Sequence, residues 1–221
     1  MKRFTPADIL FAALLAWSVA AVALVWRAGR PPIGRREGGD GAAIGIPISA
    51  AAADSAAEIG FSLGGLDPKP SVVIFTDFQC PYCRRFAAVI DSLLVLHPEL
   101  RVVEVHFPIP QLHPEALASA KAIECARNEG RYEEMRHVLF STPSFASPPQ
   151  WHEVAKTAGV NDSVFASCLA TGVDTDRIAA GMAAGRRIGV HGTPTEIIHD
   201  SLFSGAMPLI EVERHLGLGR K

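Results

Sequence analysis

The chain has 221 residues, of which 48% are hydrophobic and 20% charged, with a net charge of −2 and a sequence pI near 6.4. That is enough apolar material for one ordinary core plus an extension, and the charge balance gives no reason to expect nucleic acid as a partner. Four cysteines make an even number, but their spacing is not that of a small disulfide scaffold.

In chain order, Lys2 and Arg3 precede an apolar run from Ile9 to Trp26, broken only by Ser18. Its length, about 18 residues, is at the lower limit for a membrane-spanning helix. Trp26 and the arginines behind it suit a membrane interface. A cleaved signal peptide is the rival reading, with Ser18-Val19-Ala20 and Ala21-Val22-Ala23 as small-residue cleavage sites. The apolar run continues past both sites, which favours an uncleaved anchor over residues 1–26. Arg27, Arg30, Arg35 and Arg36 on the far side outnumber Lys2 and Arg3, so the positive-inside rule does not choose the orientation. Residues 27–58 are rich in Gly, Ala and Pro without a sustained apolar period, and read as a flexible linker. The folded domain is expected over residues 59–221.

Within it, Leu63-Gly64-Gly65 and Asp67-Pro68-Lys69-Pro70 are turn material. Val72-Val73-Ile74-Phe75 reads as a buried strand. It stops at Cys80-Pro81-Tyr82-Cys83, after which Phe86, Val89, Ile90, Leu93 and Leu94 fall at helical spacing, until His97-Pro98 ends the helix. Arg101–Phe107 reads as the next strand, and Pro108 and Pro110 break it. Helices follow over about 114–128, 132–140, 150–158, 162–169 and 175–188, punctuated by Gly130 and Gly159. Thr195–Ile198 is a strand, His199-Asp200 a tight turn, Leu202-Phe203 a short strand, and Pro208 opens a last helix. Helices interrupting and flanking one small sheet make an α/β layer architecture.

The chemistry gathers at the cysteine pair. Pro81 suits a first helical turn, where its missing N–H costs nothing. Cys80 then lies at a helix N-terminus, where unpaired N–H groups and the helix dipole favour an anion. A thiolate is such an anion, and it is the reactive form of cysteine. Cys83, one turn on, can reach Cys80 and form, break and pass on a disulfide. A structural zinc site would want a second ligand pair, but Cys125 and Cys168 are singletons far downstream. The expected roles are attack and mixed-disulfide formation at Cys80 and resolution by Cys83, with Pro81 and Tyr82 tuning the potential. Arg84 and Arg85 are read as electrostatic support for the thiolate or as solvated helix residues. His113-Pro114 reads as ordinary loop, and His113 is left out of the catalytic set.

The run Phe75-Thr76-Asp77-Phe78-Gln79-Cys80-Pro81-Tyr82-Cys83-Arg84-Arg85-Phe86 resembles the active-site segment of the DsbA-like thioredoxin-fold thiol–disulfide oxidoreductases. His113-Pro114 with the Ala-rich helix carrying Cys125, the segment Phe165–Leu169, the loop Gly192-Thr193-Pro194-Thr195 and the stretch Gly205–Leu209 are similar to that family's helical insertion, cis-proline loop and start of the last helix. The match runs over roughly residues 60–217. It implies a thioredoxin-like fold with a helical insertion at about 112–172, and a cis Thr193–Pro194 bond facing the cysteines, where base rates alone would make it trans. The Thr193 backbone would then offer strand-like hydrogen bonds to a substrate peptide.

The resemblance also implies an extracytoplasmic thiol–disulfide oxidoreductase on the periplasmic side of a bacterial inner membrane, most simply an oxidase. It would act on protein thiols and disulfides, be anchored by its N-terminal helix, and be reoxidised by a membrane redox partner. No cofactor or metal is expected beyond the Cys80–Cys83 disulfide. Some relatives carry a second disulfide. Cys125 and Cys168, expected on two helices in an oxidising compartment, are read as a structural bridge, with buried free thiols as the alternative. One departure stands out. Relatives commonly place an acid on the strand before the box, where this chain has Ile74, while Glu196 stands where relatives have an apolar strand residue. Glu196 is therefore expected to replace the missing acid as the proton partner of Cys83, the alternative being a solvated edge residue. The rival functions are a reductase or isomerase using the same residues, and a copper-handling or redox-silent chaperone module, the former because Cu(I) accepts two thiolates.

Overall fold

Val72, Val73, Ile74, Phe75 and Thr76 are all buried, the mark of a strand covered on both faces. They form one of the inner strands of a six-stranded sheet. The computed structural model of the chain describes residues 44–67, 71–142, 151–171 and 175–218, all of them within Ala42–Lys221. In chain order the elements are β1 (Ile46–Pro47), α1 (Ala50–Ile59), β2 (Phe61–Gly64), β3 (Val72–Thr76), α2 (Pro81–Leu96), β4 (Arg101–His106), α3 (Ala116–Asn128), α4 (Tyr132–Ser141), α5 (Trp151–Thr157), α6 (Asp162–Thr171), α7 (Thr175–Arg187), β5 (Thr195–Ile198), β6 (Ser201–Ser204) and α8 (Leu209–His215).

The sheet order is β1-β6-β5-β3-β4-β2. β3 and β4 run parallel, connected through α2, and the other neighbouring pairs are antiparallel. On one face, Phe86, Ile90 and Leu93 of α2 meet Val72, Ile74 and Val102 of the sheet and Val212 of α8. Each fully buried side chain of this size contributes about 1.5–3 kcal/mol. On the other face, Ala53, Ala56 and Ala57 of α1 pack on Val73, Phe75, Val103 and Val105. Helix α7 also lies on the sheet. A Cβ at its Gly181 would come within 2.6 Å of the His106 carbonyl, so only glycine allows that approach. Helices α3 to α6, inserted between β4 and α7, enclose a third cluster that includes Cys80 and Cys83.

Two expectations need correction. Residues 46–58 are not linker. Ser49 caps α1 by accepting from the Ala52 N–H at 3.3 Å, and β1 pairs with β6. The alanine run has no large apolar side chain to show a period. Alanine is nonetheless the best helix former, and its small side chains let α1 lie close on the sheet. Leu63-Gly64 is likewise not a turn but the end of edge strand β2, which pairs with β4. Gly64, at φ +75°, marks where the strand ends. The anchor expected over residues 1–26 and the linker up to residue 43 lie outside the described residues. Among the described residues no helix is long and apolar enough to cross a membrane.

Candidate active site

One row of side chains across the sheet lies below the start of α2. Ile74 of β3 is in register with Glu104 of β4 on one side and Glu196 of β5 on the other. Phe61 of β2 and Phe203 of β6 extend the row. In-register neighbours share a face of the sheet. Ile74 and Phe203 pack with α2, which places both carboxyls on the α2 face.

Above the row, Cys80 is the N-cap of α2 and Pro81 opens the helix. Cys80 has no side-chain capping bond, so its sulfur is free to face the cis Thr193–Pro194 bond. Its Sγ lies 3.3 Å from the Thr193 carbonyl, which accepts from the thiol form. Both Cys80 and Cys83 are free thiols here. The Cys83 thiol donates to Cys80 and, against the opposing effect of burial, holds it down to about 5. The Cys83 and Tyr82 backbones and the Thr193 side chain help. Burial pushes the Cys83 thiol well up, and the neighbouring Cys80 pushes it further. The Asp77 N–H donates to Cys83 Sγ at 3.5 Å. One thiol is thus poised as a thiolate at neutral pH, and the other keeps its proton.

Pro81 and Tyr82 are exposed at the rim, Tyr82 at 54%. Arg85 stacks its guanidinium over the Tyr82 ring at 4.6 Å, and Arg84 donates to the Thr142 carbonyl. The arginines are therefore engaged with a ring and with the end of α4. Glu196 is 0% exposed, and neither carboxyl oxygen has a partner among the described residues. Burial pushes its carboxyl well up. A solvated edge position is ruled out. Cys125 and Cys168 are joined by a disulfide between α3 and α6, with Cα atoms 5.9 Å apart. Among the described residues no group of three or more His, Cys, Asp or Glu could hold a metal ion.

Sequence reasoning missed the groups that shape the loop. Asp77 is buried. Its carboxylate accepts from the Gln79 N–H (2.9 Å) and the Ile109 N–H (3.0 Å), and lies 2.8 Å from His113 Nδ1. Gln79 Oε1 accepts from the Glu115 N–H at 2.7 Å. These bonds tie the cysteine loop to the start of the insertion, and His113 belongs to them. The available signal was a charged residue between a buried strand and the box. Glu104 was missed too. Its Oε1 accepts from Arg136 Nε at 2.8 Å and its Oε2 from the Tyr132 hydroxyl at 3.3 Å. Burial works against the Arg136 charge, but Glu104 and Asp91 outweigh it and push the guanidinium up. Burial, with the Glu104 charge, pushes the Tyr132 phenol well up.

The thioredoxin family model matches residues 57–216. Among solved structures, a thioredoxin-like oxidoreductase from Silicibacter pomeroyi is 27% identical, with a TM-score of 0.68 over 74% of this chain and 95% of that one. The thiol–disulfide exchange protein alpha-DsbA2 from Wolbachia pipientis is 22% identical, with a TM-score of 0.64 over 76% and 97%. Among curated proteins, the Na+/H+ antiporter NhaA 3 of Salinispora tropica is 30% identical over 135 residues, 61% of this chain and 21% of that protein. The chain thus spans between about an eighth and a quarter of the length of the curated relatives it matches. Family match, sheet order and the strand–Cys-Pro-Tyr-Cys–helix junction coincide: this chain belongs to the thioredoxin family and has the fold of the DsbA-like thiol–disulfide oxidoreductases.

Proposed function

We propose that this chain is an extracytoplasmic protein thiol–disulfide oxidase, tethered to a membrane by its N-terminal segment. The observation that carries the reading is the asymmetry of the pair: Cys80 held down to about 5 and Cys83 pushed up by burial. Stabilising the thiolate of the reduced form makes the corresponding disulfide a stronger oxidant. A substrate thiolate attacks Cys80 of the Cys80–Cys83 disulfide, forming a mixed disulfide and expelling Cys83, which takes up a proton. A second substrate thiolate then attacks the substrate sulfur, the substrate leaves oxidised, and Cys80 departs as a thiolate. Two electrons pass to the cysteine pair, and a membrane redox partner would have to remove them.

The fold neighbour from Salmonella enterica described as periplasmic supports the compartment. The apolar run Ile9–Trp26 supports the tether. The likeness to a portion of sodium–proton antiporters suits a redox module working beside a membrane, and ion transport is not proposed. Equilibrating the purified domain with glutathione tests the direction. An oxidase is expected nearer about −120 mV, whereas a value near about −270 mV makes the chain a reductant and overturns the oxidase reading. Loss of both thiols to one Cu(I), with no exchange activity, would favour the copper-handling alternative.

Glu196 belongs to this reading as the proton partner of Cys83. It is buried without a cation, one strand from the Ile74 position. Its folded pKa is raised above the ordinary carboxylate value. Its stability contribution is therefore full below about 4.3 and lost as pH rises through the raised value. Glu196→Leu is expected to stabilise the domain at neutral pH by about 1–3 kcal/mol, by removing an unsatisfied buried group. Glu196→Gln should slow Cys83-dependent release of mixed disulfides and flatten its pH profile. Unchanged rate and profile would remove Glu196 from the mechanism.

A further inference from the structure

The second carboxyl of the row has a different environment. Glu104 is 3% exposed, and both its oxygens are held, one by Arg136 and the other by Tyr132. Tyr132 is itself fixed, stacked on Phe61 with ring centroids 3.7 Å apart. Arg136 is anchored on its far side to Asp91 at 2.7 Å. The carboxylate is thus an immobile ion pair delivered by α4, the second helix of the insertion. It also lines a gap in the core together with Cys83, Ile74, Thr76, Phe86 and Pro194. The gap is too tight to admit a water molecule.

No water can therefore relay a proton between Glu104 and Cys83. What crosses the gap is the electric field, in a medium that screens it poorly. A fixed negative charge opposes the formation of a second one on Cys83. We propose that Glu104 is a positioning residue for Cys83, whose held carboxylate adds to burial in keeping that thiol protonated and so raises the pH at which Cys83 releases a substrate from the mixed disulfide. This division of labour rests on the exchange roles of Cys80 and Cys83 proposed above. Glu196, buried and without partners among the described residues, is the carboxyl free to trade protons, while Glu104 is held by Arg136 and Tyr132. Other ionisable groups on the elements packed around Cys83 are Cys80 and Arg84 on α2, Asp77 after β3, Glu196 on β5 and His106 on β4. His106 is already paired with Glu124 at 2.7 Å.

In the release step the Cys83 thiolate attacks the Cys80 sulfur of the mixed disulfide, the Cys80–Cys83 disulfide forms, and the bound thiol leaves as its thiolate. The probe is oxidised glutathione, added in excess to the reduced full chain. Acid quenching and mass spectrometry follow the Cys80–glutathione adduct across pH. In Glu104→Gln the acid limb of the release profile should move to lower pH. For every tenfold gain in thiolate fraction the intrinsic nucleophilicity falls about threefold, so release becomes roughly threefold faster on that limb.

Slower release in Glu104→Gln would make Glu104 the proton acceptor and overturn the proposal. A superimposable profile would make it a bystander and overturn it equally. If Glu104→Gln does not fold, Glu104→Leu with Arg136→Met replaces the buried pair by apolar side chains, an exchange that is commonly tolerated. The acid limb is expected to move in the same direction, because Glu104 lines the gap and Arg136 does not. Wild-type chain that forms no adduct, or releases glutathione no faster than Cys83→Ser, overturns the exchange roles themselves. That result is distinguishable from an unmoved profile in a competent enzyme.

Discussion

Cys80→Ser is expected to abolish thiol–disulfide exchange, a loss on the order of 10³-fold or more, because the attacking atom itself is removed. Cys83→Ser should instead keep the first step and stall after it, accumulating mixed disulfides on Cys80. The asymmetry follows from the site: Cys80 caps α2 with its sulfur against the Thr193 carbonyl, whereas Cys83 lies within the first turn and its sulfur faces the Asp77 N–H. The reduced wild type should show thiolate absorbance titrating near pH 5, and Cys80→Ser should lack that step. The linkage sign is that of a depressed acid. Cys80 contributes stability to the reduced form above its unfolded value of about 8.5, and that stability is lost as pH falls through about 5. Substrate adducts found on Cys83 rather than Cys80 would invert the assignment.

The parts of this site that are local in sequence could be read there. A short buried strand, a proline one residue into a helix and two cysteines one turn apart specify the junction without any distant contact. The inserted helices were also legible, because Gly130 and Gly159 separate segments with their own apolar periods. What could not be read is what depends on which face is covered. In Arg101–His106, Glu104 and His106 alternate with Val103 and Val105, the pattern of a strand with one solvated face. The insertion covers that face, and Arg136, Tyr132 and Glu124 supply the partners the two polar side chains need. No window around Glu104 contains those residues. Helix α1 was hidden for a different reason. Its buried face is made of alanines, which show no amphipathic contrast against the glycine- and alanine-rich stretch before it.

Removing the Cys125–Cys168 disulfide is expected to destabilise the domain strongly while leaving the thiolate chemistry in place. The bridge closes a loop with a sequence separation of 43. Chain-entropy reasoning assigns such a closure about 4 kcal/mol, against a total stability of only about 5–15 kcal/mol for a typical domain. The bond joins α3 to α6, next to Glu124, which pairs with His106 of β4. Its loss therefore loosens the insertion where it grips the sheet. The lowered pKa of the Cys80 thiol makes the active-site disulfide the more oxidising of the two, so mild reductant should open that pair first and leave the bridge closed. Thiol counting in denaturant measures this directly. Air-purified chain should show no free thiols, and mildly reduced chain two. Two free thiols in the air-purified sample that alkylation maps to Cys125 and Cys168 would refute the bridge. Urea unfolding of Cys125→Ala with Cys168→Ala should show the loss of stability, with the absorbance step near pH 5 retained. A variant as stable as the wild type would mean that packing alone holds the insertion to the sheet.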